Sequence, residues 1–183
     1  MKKIQKAVGL AIVATTLAWA SCSPQVPIRL PELPLAEVQP YFSEAAEVQT
    51  VDTSYYQVKD AGGNVIGVVL HSAPYSASVH GYNGPTPLLI ALDAENRIVG
   101  VTLLDNQETP RFAQRVADGG LYDAWNGLTV EEALAKDVDA VSGATFTSNG
   151  VKQSLALRLE AYQRQLDKEP VKPGFWAKLF SRR

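Results

Sequence analysis

Residues 88–104 read LLIALDAENRIVGVTLL, and this stretch decides the class of fold. Two runs rich in aliphatic and β-branched residues, Leu88 to Leu92 and Ile98 to Leu104, flank the polar turn Asp93-Ala94-Glu95-Asn96. Short runs of this composition on either side of a turn are typical of paired, half-buried strands. The stretch therefore predicts an antiparallel hairpin.

A second hairpin is expected upstream. Tyr55-Tyr56-Gln57-Val58 and Val65 to Leu70 flank a turn over Asp60-Ala61-Gly62-Gly63-Asn64. The segment before it, from Tyr41 through Val48, is expected to form a short helix. Two adjacent hairpins predict an antiparallel sheet rather than alternating strand-helix units.

Downstream of the hairpins the sequence predicts helices. One should begin at Glu108-Thr109-Pro110 and end near Asp118, and Thr129 with Glu132 forms a capping box that begins another. Val138 to Val141 is expected to be a short strand. One apolar stripe with steps of four, four, three and four predicts a long C-terminal helix, its members being Val151, Leu155, Leu159, Tyr162 and Leu166. The class is therefore α+β, with an antiparallel sheet of hairpins, helices packed at its ends and one long C-terminal helix.

The N-terminus has the pattern of an export signal over residues 1–22. Lysines precede an apolar run, residues 7–20, that is shorter than the roughly 20 residues needed to span a bilayer. Cleavage could follow Ala18-Trp19-Ala20, or Cys22 could be lipidated as in bacterial lipoproteins. Lipidation is favoured because Cys22 is the only cysteine and a free thiol is a liability in an oxidising compartment. Five prolines then predict an extended tether over residues 23–40.

The domain itself is assigned to residues 41–168, and residues 169–183 form a basic, aromatic tail. Phe175, Trp176, Leu179 and Phe180 lie at helical spacing among lysines and arginines. Such a tail suits a membrane interface or a docking surface on a partner, and a self-packed or disordered tail is an equal alternative. The net charge of −2 does not indicate nucleic-acid binding.

The stretch Asp139–Ser148, DAVSGATFTS, concentrates hydroxyl side chains just before the long helix. It has two interpretations. Thr147, Ser148 or Asn149 could cap the helix, because serine, threonine and asparagine side chains satisfy unpaired N–H groups there. Alternatively, small residues at a helix start leave N–H groups free to bind phosphate. A Walker lysine and a G-x-G-x-x-G fingerprint are both absent from the chain.

DAVSGATFTS resembles the flavinylation motif of the FMN-binding domain, Asp-x-x-Ser/Thr-Gly-Ala-Thr. That domain is found in the flavin-carrying subunits of the Rnf complex and of the sodium-pumping NADH:quinone oxidoreductase, and in exported flavoproteins. The resemblance extends to Gly81-Tyr82-Asn83-Gly84, the following hairpin and Glu108-Thr109-Pro110, which occur in the same order. It implies that Thr145 carries FMN through a phosphoester. A Mg-dependent flavin transferase would make this bond from FAD, recognising Asp139.

The resemblance also implies a set of cofactor-binding residues: Thr145, Ser142, Gly143, Ala144, Thr147, Ser148, Glu108, Thr109 and Tyr82. The chain departs from the family after Pro110, where Arg111-Phe112-Ala113 replaces Gly-Leu-Gly. No catalytic residue and no metal site are predicted, because His71 and His80 lack the spacing of zinc or haem ligands. They are interpreted as loop or surface residues, and Trp125 is expected in the core.

These features predict an exported flavoprotein, membrane-associated on the extracytoplasmic side. The expected role is that of an electron carrier rather than a stand-alone enzyme. It would pass electrons between a membrane redox complex and an extracytoplasmic acceptor. Its expected partners are the flavin transferase, that complex or another electron donor, and the membrane through the lipid anchor and the tail. Two alternatives remain open: a flavin-dependent reductase of a small molecule, and an assembly subunit with the same fold but no flavin.

Overall fold

The computed structural model of the protein describes residues 30–51 and 55–168. Five strands form one antiparallel sheet in sequential order: β1 (Glu47–Val51), β2 (Tyr55–Lys59), β3 (Val65–His71), β4 (Leu88–Asp93) and β5 (Ile98–Leu103). The helices are α1 (Leu35–Val38), α2 (Ala73–Ser76), α3 (Pro110–Asp118), α4 (Val130–Ala135) and α5 (Thr145–Lys168), with a 3-10 turn over Leu121–Trp125. The α+β prediction is confirmed. The predicted signal with Cys22, and the predicted tail, lie outside the described residues.

An aspartate holds the turn of each predicted hairpin. Asp60 accepts hydrogen bonds from the backbone and side-chain nitrogens of Asn64, at 2.8 and 2.9 Å. Asp93 Oδ1 accepts from the backbone nitrogens of Glu95 and Arg97, at 3.0 and 2.8 Å. Such side-chain bonds to nearby backbone favour turns over continued strand. Both hairpin predictions are confirmed, with β2 paired to β3 and β4 paired to β5.

One face of the sheet is covered by the C-terminal helices. The larger core joins inward residues of β3, β4 and β5 to α3, α4 and α5 and to the buried Trp125. The predicted stripe of α5 is confirmed, since Val151, Leu155, Leu159 and Tyr162 are at most 2 % exposed. The helix is longer than the stripe suggested, because it begins six residues earlier, at Thr145.

The opposite face of the sheet is covered by the chain that precedes β1. Leu30, Leu33, Val38 and Phe42 pack on a second core, with Leu89 and Ala91 among the strand residues beneath them. These residues bury the second face of β4, so the expectation of a half-buried strand is wrong there. Residues 30–40 of the predicted tether therefore pack on the sheet instead of extending away from it.

Two glycines make this second packing possible. A Cβ added at Gly67 would lie 2.3 Å from the Phe42 ring, and one added at Gly100 would lie 2.1 Å from the Tyr41 ring. Each ring occupies the space that a side chain would take. The Tyr41 hydroxyl also bonds Thr102 Oγ1 on β5. The predicted helix from Tyr41 to Val48 is wrong, because Tyr41 and Phe42 pack over the sheet and Glu47 begins β1.

The predicted strand over Val138 to Val141 is also wrong. These residues belong to no strand or isolated bridge, and they form the connection between α4 and α5. Val141 packs against Gly119 at the end of α3, where its methyl groups lie within 2.8 Å of the position that a Gly119 Cβ would take. Within residues 30–51 and 55–168, no helix combines the length and apolar content that crossing a bilayer requires.

Candidate functional site

Thr145 begins α5 and is exposed to solvent. The turn before it depends on Gly143, whose φ of +76° lies in the left-handed region, where a side chain costs about 1–2 kcal/mol. Ala144 N donates to Val141 O at 3.0 Å across this turn, and Ser148 N donates to Ala144 O at 2.9 Å as the first helical bond. The local geometry thus presents the Thr145 hydroxyl at the start of a rigid helix.

Thr147 and Ser148 point inward rather than capping the helix. Both are fully buried. Ser148 Oγ accepts from the backbone nitrogen of Val141 at 3.1 Å, and the Thr147 hydroxyl donates to Glu108 Oε2 at 2.5 Å. Because α5 begins at Thr145, they are its third and fourth residues. The capping interpretation is therefore wrong, and their hydroxyls instead fix the helix start to its neighbours.

Glu108 joins three separate segments of the chain. It is 6 % exposed and accepts from the backbone nitrogens of Asn83 and Gly84, at 2.8 and 3.1 Å, as well as from Thr147. Hydrogen bonds to a charged acceptor are stronger than neutral ones. The structure thus brings together the three sequence features that carry the family resemblance: the loop over residues 81–84, Glu108 and the helix start.

Close contact between α5 and the loop over residues 81–84 depends on two glycines. A Cβ added at Gly150 would lie 2.9 Å from the Gly81 backbone, and one added at Gly81 would lie 2.7 Å from Glu108 Oε1. Beside this contact, the hydroxyl oxygens of Thr86 and Ser154 lie 3.1 Å apart and form a hydrogen bond. Sequence reasoning did not identify Gly150, although a glycine inside a helical pattern is a signal of close backbone approach.

Three aromatic rings surround the exposed start of α5. Tyr82 and Phe146 are 59 % and 70 % exposed, and their ring centroids lie 6.5 Å apart. Phe112 contacts Tyr82 edge to face at 4.8 Å. Large exposed apolar side chains that cluster together mark binding surfaces more often than scattered ones do. Tyr82 was predicted for the site, whereas Phe146 and Phe112 were not.

Arg115 was also missed in the sequence. It lies in the last turn of α3, on the surface, and its Nη1 is 2.3 Å from the position that a Gly143 Cβ would occupy. No motif marks it in the sequence, because the contact joins residues 28 positions apart and exists only once α3 packs against the turn.

The remaining predicted residues lie around this centre. Ser142 and Asp139 are exposed on the connection that precedes α5, and Ala144 is buried in the main core. Thr109 occupies the N-cap position of α3 without a side-chain cap bond. His71 is half-buried, where burial and nearby Arg158 lower its pKa, and it accepts a hydrogen bond from Ala73 N; His80 is exposed.

Fold and site together define a class of protein: an α+β domain that presents one threonine hydroxyl at a helix start, beside exposed aromatic rings. Residues 81–160 match the model of the FMN-binding domain family. The matched part of the chain is thus similar to this family, and it contains the loop over residues 81–84, Glu108 and Thr145.

Two curated relatives are similar to the chain over longer stretches. A subunit of the Na(+)-translocating ferredoxin:NAD(+) oxidoreductase complex of Acetobacterium woodii is 24 % identical over 141 residues, which cover 72 % of this chain and 66 % of the relative. A subunit of the ion-translocating oxidoreductase complex of Stutzerimonas stutzeri is 34 % identical over 107 residues, covering 52 % and 47 %. The matches thus span less than two thirds of either relative. The crystal structure of Shewanella oneidensis NqrC aligns over 70 % of this chain and 74 % of its own, with a TM-score of 0.43 and 20 % identity.

The residues at the site fit an attached FMN. The exposed Thr145 hydroxyl can carry a phosphate, and Gly143 leaves the turn open on the side that Arg115 approaches. Tyr82 and Phe146 offer apolar, polarisable surface of the kind that a flat ring system contacts. The hydroxyls of Thr147 and Ser148 are already engaged within the protein, so they hold the helix start that carries Thr145.

A double-mutant cycle tests whether Glu108 and Thr147 act as one unit. Glu108→Gln should lower the free energy of unfolding by about 1–3 kcal/mol. The amide nitrogen of glutamine is a donor, so it cannot accept the hydrogen bonds that the backbone N–H groups and the Thr147 hydroxyl donate to Glu108. Thr147→Val should also destabilise, and the double variant should differ from additivity by at least about 0.5 kcal/mol in urea unfolding. The exposed Glu44 provides the control, since Glu44→Gln should change stability by under about 0.5 kcal/mol. Additive effects would contradict the coupling.

Proposed function

We propose that the chain carries FMN covalently through a phosphoester to Thr145. The observation that carries this proposal is the position of Thr145: it is the exposed first residue of α5, in the sequence Ser-Gly-Ala-Thr, within an FMN-binding domain. Ser142, Gly143 and Ala144 form the approach to it. Of these, Ser142 and Gly143 are exposed, so the chain before Thr145 is accessible to another macromolecule.

Attachment requires a separate enzyme, because a threonine hydroxyl is a weak nucleophile without an adjacent base. No base bonds the Thr145 hydroxyl within residues 30–51 and 55–168. A Mg-dependent flavin transferase would supply the base. Thr145 Oγ1 would bond the FMN-side phosphorus of FAD, the bond between the two phosphates would break, AMP would leave and the transferase would remove the hydroxyl proton. The exposed Asp139 is suited to recognition by that transferase.

Tyr82 and Phe146 are proposed to flank the flavin ring, with Glu108 and Thr109 in the loop behind them. Their support is the exposure of both rings beside the helix start and the bonds by which Glu108 holds the backbone after Tyr82. When bound, FMN supplies reversible electron acceptance and donation, while the protein supplies attachment and orientation. Phe112 braces Tyr82 from the side, so the Tyr82 ring keeps its place at the site.

We infer an electron-carrier role rather than a stand-alone enzyme activity. Both relatives are named as subunits of oxidoreductase complexes that translocate ions, which supports a membrane redox complex as the partner of this chain. Export through residues 1–22, lipidation of Cys22 and membrane contact by residues 169–183 would hold the domain at the extracytoplasmic surface. Covalent attachment suits that location, because a freely exchanging flavin would be lost there.

Mass spectrometry of the intact chain tests the attachment. Protein co-expressed with a flavin transferase should gain the mass of FMN less one water, and Thr145→Ala should abolish the gain because residue 145 then lacks the hydroxyl that forms the ester. Thr145→Ser should retain it, and Ser142→Ala should retain it because the neighbouring hydroxyl is not the acceptor. An unmodified wild-type chain, or an adduct that survives Thr145→Ala, would overturn the assignment.

Flavin fluorescence tests the role of Tyr82. In the loaded chain, Tyr82→Leu should raise the fluorescence yield by about two-fold or more, since a stacked aromatic ring quenches flavin emission and leucine lacks a π-system. Tyr82→Phe is the matched control, because it keeps the ring and removes only the hydroxyl. Equal yields in the wild type and in Tyr82→Leu would place the flavin away from this residue.

Reduction by membranes tests the carrier role. Loaded chain added to energised membranes from source cells that lack it should lose its flavin absorbance, and an extracytoplasmic acceptor should restore that absorbance. Thr145→Ala supplied with free FMN is the control and should respond at least about tenfold more slowly, because its flavin is not held at the docking surface. Saturable reduction of one small molecule without membranes would instead favour a reductase.

A further inference from the structure

Arg115 is held beside the turn that precedes Thr145 by contacts at both ends of α3. At the start of α3, Glu108 accepts the Thr147 hydroxyl of α5. At its end, the methyl groups of Val141 fill the space beside Gly119. Between these contacts, Val116 is fully buried in the main core. The backbone that carries Arg115 therefore has a fixed position relative to Gly143.

The guanidinium of Arg115 contacts the turn at Gly143. Its Nη1 is 2.3 Å from the position that a Gly143 Cβ would take, so the absent side chain at residue 143 gives the arginine its place. The contact lies two residues before Thr145. Gly143 therefore has two functions: it adopts the positive φ of the turn, and it admits a cation to the residue that the proposed cofactor modifies.

The charge of Arg115 has no partner among the residues that the structure describes. Three salt bridges join described residues, and none includes Arg115; no described carboxylate or carbonyl accepts a hydrogen bond from its side chain. The nearby start of α5 contributes further positive potential from its unpaired N–H groups. Two like potentials facing each other are unfavourable unless an anion lies between them.

We propose that Arg115 binds the phosphodiester that links FMN to Thr145. This inference rests on the proposed function and adds a residue to it. Arginine suits the task because its planar fork donates two parallel hydrogen bonds to phosphate oxygens. The pairing neutralises the single negative charge of the diester and fixes the orientation of the linkage. Arg115 is thus a cofactor-binding residue rather than a catalytic one.

Thermal unfolding of loaded and unloaded protein tests the inference. In the flavinylated chain, Arg115→Gln should lower Tm by about 1–4 °C, because an exposed ion pair to the diester is lost. In the unloaded chain, the same change should leave Tm unaltered or raise it, since an unpaired positive charge is removed from a positive helix end. Arg115→Lys should give an intermediate loss in the loaded chain, because it keeps the charge but not the fork.

The matched control is Arg164→Gln, an exposed arginine 19 residues further along α5, about 28 Å from Thr145. It should change Tm equally in the two states. The ³¹P chemical shift of the loaded chain should move with Arg115→Gln and stay constant with Arg164→Gln.

Two failures can be told apart. Absence of FMN mass on the wild-type chain would defeat the proposed function itself. A loaded wild-type chain in which Arg115→Gln lowers Tm equally with and without FMN, and leaves the ³¹P signal unmoved, would overturn the role of Arg115 alone.

Discussion

The Glu108 carboxylate organises the site because it accepts three hydrogen bonds from two other segments. Two donors are backbone nitrogens after Tyr82, and the third is the Thr147 hydroxyl in the first turn of α5. A carboxylate buried to 6 % exposure needs such donors, because an unpaired buried charge is costly. The requirement fixes the loop with Tyr82 and the helix with Thr145 in one mutual arrangement. Small residues at Gly81 and Gly150 then allow the backbones to meet.

The hydroxyl residues of Ser-Gly-Ala-Thr-Phe-Thr-Ser differ in their exposure and in their hydrogen bonds. Thr145 is exposed and chemically available, whereas Thr147 and Ser148 are buried and already bonded to Glu108 and Val141. The helical period explains the burial of Thr147, because a residue two positions after Thr145 points to the opposite side of the helix. Ser148 is buried for another reason, since the connection that precedes α5 lies against it and Val141 N donates to its hydroxyl. The exposed position is the one proposed to carry the cofactor, and the buried positions fix the helix start to its neighbours. The stretch thus contains both the exposed Thr145 hydroxyl and the buried hydroxyls that fix the helix on which Thr145 lies.

Local patterns predicted those parts of the fold that local chemistry controls. The aspartate turns of both hairpins and the capping box of α4, in which Thr129 and Glu132 exchange hydrogen bonds, were all visible in the sequence. The incorrect or missing predictions concern residues whose structure depends on contacts between positions that are distant in the sequence. The segment from Tyr41 is not helical, because its two aromatic rings fill gaps above Gly67 and Gly100, 25 and 59 residues away. Arg115 was missed for the same reason, since its partner Gly143 is distant in sequence. The proximity of Thr145 to the Glu108 loop was predicted through the resemblance to a family, whereas the buried bonds between the two segments required the structure.

The chain before β1 lies on the face of the sheet opposite to α3 and α5. Leu30, Leu33 and Phe42 pack there, while the start of α5 belongs to the other core. Because alternate residues of β4 contribute to both cores, the sheet separates the entry of the chain from Thr145. The proposed anchor at Cys22 would therefore connect to the domain on the face of the sheet away from Thr145. The proposed anchor and the proposed cofactor on Thr145 would thus occupy opposite faces of one small domain without obstructing each other.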